Sequence, residues 1–276
     1  MTDLLKNQDV DSLENRDLGL IDWVSPLGGW LLKKYFRASV HGLENIPRGP
    51  ALYVGNHNMG MMTLDTFILF TEAYKTIGVD ALPYGLAHDV PIRFPVLNQL
   101  ITKMGGVRAC HENAAKAFAR GRKVLVYPGG DTDAMRPFKH RNKIVFSGRN
   151  GYMKLALQEK VPIIPIVAQG AHSANIIVSD NQWLAKTLHM DKWLRTKVWP
   201  LTICLPWGIV PGPAPVFLPY PTRITIEVMK PIRFRRRGEK AAQDPDYVRQ
   251  CSDKVENAMQ KTLTRLAEKG KTSKAA

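Results

Sequence analysis

Apolar positions follow a helical period at both ends of the chain and short continuous runs in between. From Asp22 to Arg37, Trp23, Leu27, Trp30, Leu31 and Tyr35 recur near helical spacing and make one face apolar. Gly28-Gly29 weakens that helix, while Lys33, Lys34 and Arg37 gather at its end. A helix packed on the domain and a helix lying in a membrane interface both satisfy the pattern. Two tryptophans beside three cations favour the second. Residues 1–20 read as a frayed or loosely docked lead-in.

Beyond this point strands alternate with helices. Strands are predicted at Ala51–Val54, Lys123–Tyr127, Ile163–Val167 and Arg223–Met229. Helices are predicted at Leu64–Thr76, Pro91–Met104, Asn113–Arg120, Gly151–Gln158 and from Asp244-Pro245 to about Lys269. In the last, Val248, Cys251, Val255, Met259, Leu263 and Leu266 share a face. The alternation implies an α/β fold, a largely parallel central sheet flanked by helices, with an N-terminal amphipathic helix. Residues 1–40 form the lead-in and interface helix, and residues 41–276 a single α/β domain that includes the C-terminal helix.

Val198–Pro221 breaks the rhythm. It carries no charge and is long enough to cross a bilayer, but it holds seven prolines, which a spanning helix does not tolerate. Two readings stand: a proline-rich loop buried on the protein, or a loop dipping into a membrane interface with Trp199, Trp207, Phe217 and Tyr220 as anchors.

Composition narrows the partners. Thirty-nine Lys and Arg against 24 Asp and Glu leave +15, an excess drawn to nucleic acid, anionic lipid or phosphorylated cosubstrates. It is unevenly spread: residues 1–100 carry −3, while residues 101–160 carry +9. The basic clusters lack interleaved aromatics, and no zinc-finger or RNA-recognition signature is present, so no nucleic acid is expected. Cys110, Cys204 and Cys251 are scattered and odd in number, which excludes a disulfide framework, and no metal site or cofactor is expected. A Cys110 nucleophile beside His111 is disfavoured because adjacent side chains rarely face each other.

Catalytic chemistry gathers where strands end. The three ends are Gly55-Asn56-His57, Pro128-Gly129-Gly130-Asp131 and Gly170-Ala171-His172. The segment GNHNMGMMTLDTF (55–67) resembles the first block of the glycerolipid and lysophospholipid acyltransferases. VLVYPGGDTDAMRP (124–137) resembles their third block, VPIIPIVAQGAH (161–172) their fourth, and Gly105-Gly106-Val107-Arg108 their second. Order and spacing agree from about Gly42 to about Ile232. The resemblance implies an O-acyltransferase that moves a fatty acyl group from acyl-CoA or acyl carrier protein to a lipid hydroxyl. It would work at the cytoplasmic side of a membrane as a peripheral or monotopic protein.

In that reading His57 is the general base, because imidazole titrates near neutrality. The family places an Asp after four intervening residues; here Met62 stands where that spacing ends, and the carboxylate is Asp65, after seven. Asp65 is retained as the partner of His57, with Asp131 and Asp133 as fallbacks. Pro128-Gly129-Gly130-Asp131 departs from the Pro-Glu-Gly-Thr of the phosphate-acceptor branch and looks nearer the diacylglycerol acyltransferase-like branch. A carboxylate at Asp131 would repel a phosphate on the acceptor. Substrate contacts are expected from Asn56, Arg108, Pro128, Gly129, Gly130, Asp131, Arg136 and Arg149, with Arg136 and Arg149 as donor-phosphate ligands. His172 is expected to be a structural hydrogen-bonding residue. The longer His57–Asp65 spacing motivates an alternative, a non-catalytic lipid or acyl-thioester binding protein on the same fold.

Overall fold

A seven-stranded sheet divides the molecule into two layers of helix. The computed structural model describes residues 6–58, 63–193, 196–212 and 218–275. In chain order the elements are α1 (Leu18–Tyr35), β1 (Ser39–His41), β2 (Leu52–Gly55), α2 (Leu64–Ile77), β3 (Pro83–Ala87), α3 (Pro95–Lys103), β4 (Gly106–Arg108), α4 (His111–Ala119), β5 (Lys123–Val126), α5 (Gly130–Ala134) and α6 (Gly151–Gln158). There follow β6 (Ile163–Gln169), β7 (Asn175–Ser179), α7 (Gln182–Thr187), α8 (Met190–Trp193), β8 (Leu201–Cys204), β9 (Gly208–Pro211), β10 (Thr225–Val228), α9 (Glu239–Ala242) and α10 (Pro245–Ala275).

The large sheet runs β1-β10-β6-β2-β5-β3-β4 and is parallel except where β10 meets β6. Its central strands bury both faces, as a parallel sheet between helices must. Leu52, Val54, Ile163 and Val167 face a core shared with α4, α6 and α10. Tyr53, Ile164, Ile166 and Ile226 face Ile68 and Leu69 of α2 and Phe36 beside α1. All six apolar positions named for the C-terminal helix are buried in the first of these cores.

Three expectations change. The lead-in is docked: Leu13 is 4% exposed within the larger core, the Arg16 guanidinium lies 3.7 Å over the Tyr84 ring, and Asp17 caps α1 by accepting from Leu20 N–H at 2.9 Å. The helix expected over Pro91–Met104 splits into a 3₁₀ turn (Pro91–Arg93) and α3, because Phe94, preceding Pro95, is held extended. The Val198–Pro221 segment contains β8 and β9, which form with β7 a second, antiparallel sheet. Its prolines flank the strands (Pro200), make the turn (Pro206) or end β9 (Pro211), where no ladder donor is lost inside a central strand. Trp207 and Tyr220 are exposed, Trp199 is half-buried, and Phe217 lies outside the described residues. The inner side of this small sheet packs Ile177 with Val198 against Ala134 and Met135 at α5; its outer side exposes Ile176, Val178, Leu201, Ile203 and Ile209.

Helix α1 packs on α2 through Ile21, Ser25 and Gly29, a narrow, largely small-residue stripe. A Cβ at Gly29 would collide with the Thr71 side chain, so the glycine that weakens the helix locally is what lets the two helices touch. The aromatic face therefore points outward: Trp23 is 79% exposed, Leu27 64% and Trp30 50%. No helix among the described residues is long and apolar enough to cross a membrane.

Candidate active site

Strands β2, β5 and β6 are adjacent and parallel, so their carboxyl ends bring Asn56-His57, Tyr127-Pro128-Gly129 and Gly170–His172 to one edge of the sheet. Asn56 is used entirely by the fold. Its Nδ2 donates to the Ala168 carbonyl and its Oδ1 accepts from Ala168 N–H, each at 3.0 Å. The substrate contact expected of Asn56 is replaced by a tie between β2 and β6.

His57 is held through its backbone on both sides. Its N–H donates to Asp133 Oδ2 at 2.7 Å, and its carbonyl accepts from Arg136 Nη1 at 2.6 Å. The imidazole stacks on Tyr127, with ring centroids 4.4 Å apart and planes inclined by 25°. The Tyr127 ring in turn fills the space a Cβ would need at Gly55. No hydrogen bond from the described residues reaches either ring nitrogen. Burial, reinforced by the Arg136 cation, lowers the imidazole pKa to about 3; Asp131 opposes that and Arg149 adds to it. Burial thus favours the neutral ring and makes it a weaker base than the near-neutral titration expected from the sequence.

Asp65 is buried in the first turn of α2, where its Oδ1 accepts from Thr66 N–H at 2.9 Å. Burial raises its carboxyl to about 6 against backbone N–H groups and Arg136. No hydrogen bond joins Asp65 to the His57 ring among the described residues, and the intervening residues 59–62 are outside them. The Tyr127 ring covers His57. Its hydroxyl touches Thr66 Oγ1, and burial, with the Asp65 charge second, pushes its phenol pKa up.

The glycines that follow β5 serve packing. A Cβ at Gly129 would strike Asp133 Cβ and the Val145 carbonyl. One at Gly130, whose φ is +52°, would strike the Arg149 guanidinium. Pro128 is buried beside them. Both close approaches require a glycine.

Asp131 accepts from Arg149 Nη2 at 2.7 Å and from Lys197 N–H at 2.6 Å. Burial raises its carboxyl, but Arg149 and the Lys197 N–H outweigh that and leave it below the usual range. Its charge is thus balanced by Arg149, and the argument that it repels an acceptor phosphate loses its force.

Arg136, expected to grip a donor phosphate, is 2% exposed and bonded throughout. Nε donates to the His140 carbonyl, Nη2 to the Arg141 carbonyl, and Nη1 to His57 and Asp133. Arg149 donates to the Gly129 carbonyl and Asp131 while staying half-exposed. Arg108 pairs with Asp11 on β4. The order β2-β5-β3-β4 sets it three strands, about 14 Å at the usual strand spacing, from His57. Among the described residues Lys139, Lys143 and Lys197, on the segments that bond Arg136 and Asp131, are exposed cations.

His172 is 1% exposed, and its Nε2 lies 2.8 Å from the Arg136 carbonyl. A carbonyl only accepts, so Nε2 carries the proton and Nδ1 is an acceptor. Among the described residues Nδ1 has no partner, and neither does Asn58 Nδ2, whose amide oxygen accepts from His172 N–H.

Residues 37–169, which span this strand edge, match the Acyltransferase family model. Over that stretch the chain resembles an acyltransferase domain. Among its relatives, an uncharacterized protein of Mycobacterium tuberculosis is 30% identical over 88% of this chain. The chain spans 65% of the length of that protein. A Gallus gallus protein named DGAT1/2-independent enzyme synthesizing storage lipids is 31% identical over 47% of this chain and 38% of its own length. The chain is similar in fold to the 1-acyl-sn-glycerophosphate acyltransferase PlsC of Thermotoga maritima. The TM-score is 0.50 and identity 16%, covering 89% of this chain and 82% of that one. The superfamily resemblance, with its lean toward the diacylglycerol acyltransferase-like branch, and the α/β fold with its mostly parallel sheet both hold.

Two residues of this strand edge, Tyr127 and Asp133, carry no assignment in the sequence pattern. Tyr127 reads there as the last residue of a strand, and Asp133 only as a fallback carboxylate. The one local signal for Tyr127 is an aromatic at a strand end facing a glycine, Gly55, at the end of the neighbouring strand.

Proposed function

We propose that the chain transfers a fatty acyl group from an acyl thioester to the hydroxyl of a lipid alcohol, with His57 as the general base. The observation that carries this is geometric: at a strand edge that matches the Acyltransferase family model, the His57 backbone is bonded on both sides while no hydrogen bond from the described residues reaches its ring nitrogens. The acceptor hydroxyl oxygen attacks the thioester carbonyl as His57 takes its proton. The C–O bond forms, the C–S bond breaks, and the proton passes from the imidazolium to the departing thiolate, leaving an ester and a free thiol. Asp65 acts on this base through Tyr127.

The donor in this reading is acyl-CoA or acyl carrier protein, met by Lys139, Lys143 and Lys197. Arg149 neutralises Asp131, so the site suits either a neutral or an anionic acceptor. The storage-lipid relative tilts the choice to a neutral one. The reaction belongs at the cytoplasmic side of a membrane, where the outward aromatic face of α1 would lie in the interface with Lys34 at its end.

The test is acyl transfer on liposomes by wild type and His57→Ala, crossing both donor types with neutral and anionic acceptors. Loss of the base is expected to slow transfer by about 10²–10⁴-fold with the melting temperature retained. Undiminished transfer by His57→Ala would refute the base. One observation favours a second reading, a non-catalytic acyl-thioester binder: among the described residues no hydrogen bond joins Asp65 to the His57 ring. Donor binding without turnover in wild type would establish it.

A further inference from the structure

The described ion pair with both partners most deeply buried lies directly behind His57. Asp133 is 0% exposed and Arg136 2%, with Arg136 Nη1 2.9 Å from Asp133 Oδ1. Two charges out of water are a poor way to stabilise a core, because apolar residues of similar volume do as well. The pair therefore needs a purpose beyond packing, and its remaining bonds indicate one. The other carboxylate oxygen, Asp133 Oδ2, accepts from His57 N–H; the same Nη1 that binds Asp133 donates to the His57 carbonyl. These two bonds grip the peptide units on either side of the His57 Cα. Together they fix both its φ and its ψ, and so the direction of its Cβ.

The grip is itself anchored. Arg136 Nε and Nη2 are tied to the His140 and Arg141 carbonyls, and the Arg136 carbonyl accepts from His172. Asp133 reaches this depth only because Gly129 has no side chain in its way. The last freedom, rotation of the ring, is limited by the Tyr127 stack.

We propose that the Asp133–Arg136 ion pair is a clamp that positions the His57 imidazole for proton transfer, both residues being positioning residues that do not touch substrate. The proposal rests on the reading of His57 as the base. It explains why a cation in the third block is withdrawn from the surface: it orients the base and leaves donor phosphate to other cations.

The experiment has one readout that does not depend on activity. Hydrogen exchange at the His57 amide should be slow in wild type and faster in Asp133→Asn. Rapid exchange in wild type, or unchanged exchange in the variant, overturns the clamp whatever His57 does. The second readout is kcat against KM for acyl transfer. Displacing the base should lower kcat by about 100-fold with KM for the thioester unchanged, since misplacement of about 1 Å has that effect. In a His57→Ala background, Asp133→Asn should cost nothing further.

Removal of one charge endangers folding, so the charge-neutral pair Asp133→Asn with Arg136→Gln is measured alongside and should show the same loss of kcat. Wild-type kcat in a folded variant, while His57→Ala is inactive, would overturn the positioning role. Full activity of His57→Ala would instead refute the base and the catalytic half of the proposal, leaving exchange to decide the grip alone.

Discussion

Acidification should unfold this protein partly through one residue, His172. Its imidazole is fully buried; burial first, and the Arg136 cation second, lower its pKa from 6.5 to about 3. At pH 5 the unfolded chain holds a proton on this residue almost completely and the folded chain almost never. The unfolded state binds more protons, so stability falls as pH drops through 6.5 toward 3. Between pH 7.5 and 5.0 the linkage amounts to about 2 kcal/mol for this single group. The perturbation is His172→Gln, whose amide N–H can still donate to the Arg136 carbonyl but takes up no proton. The assay is urea unfolding of wild type and variant at both pH values and constant ionic strength. The other titrating groups are common to both proteins and cancel. Among them is Asp65, which is raised to about 6 and acts with the opposite sign. Wild type is expected to lose about 2 kcal/mol more than the variant on acidification. Equal losses would refute the claim that His172 is neutral in the folded chain.

Two further outcomes follow from α1. Gly29→Leu drives a side chain into Thr71 and should destabilise the fold by about 1–3 kcal/mol in urea unfolding, whereas Gly28→Ala, with room beside Phe67, should change it by much less. Replacing Trp23, Leu27 and Trp30 together by Ser should abolish co-flotation with anionic liposomes while leaving the melting temperature unchanged; retained flotation would move the membrane contact elsewhere, the exposed outer face of β7–β9 being the next candidate.

The central strands and long helices were legible because each obeys one rule along the chain. β2, β5 and β6 are short apolar runs, and α10 keeps helical spacing through Leu266. Helix α6 was read to its end residues. β1 and β4 were not legible: three residues at a sheet edge, one face open to water, leave no pattern to detect. β8 and β9 were hidden by proline, which signals loop unless one knows that each Pro falls outside the ladder. For α1 the period was right, but its direction in space was not contained in it; that was decided by Gly29 meeting Thr71 on another helix.

At the site, His57 and the strand ends could be found because position after a strand is a local property. The employment of Arg136 could not be found that way. An arginine in a basic stretch looks the same whether it meets solvent or four backbone carbonyls, and only tertiary structure distinguishes them.

The position of β10 has a consequence for how the protein is made. β10 lies between β1 and β6 in space, and Ser39 on β1 bonds Thr225 on β10 across 186 residues of chain. Every strand-end residue around His57 is synthesised before β10 exists. At about 5–20 residues per second, β1 waits roughly ten to forty seconds for its neighbour, and one edge of β6 stays open through part of that time. The nascent chain thus carries the strand edge around His57 complete in sequence but unsupported in structure, with an unpaired strand flanked by apolar surface. It is over that interval, rather than in the finished fold, that the protein is most exposed to mispairing and most dependent on whatever shields a growing chain.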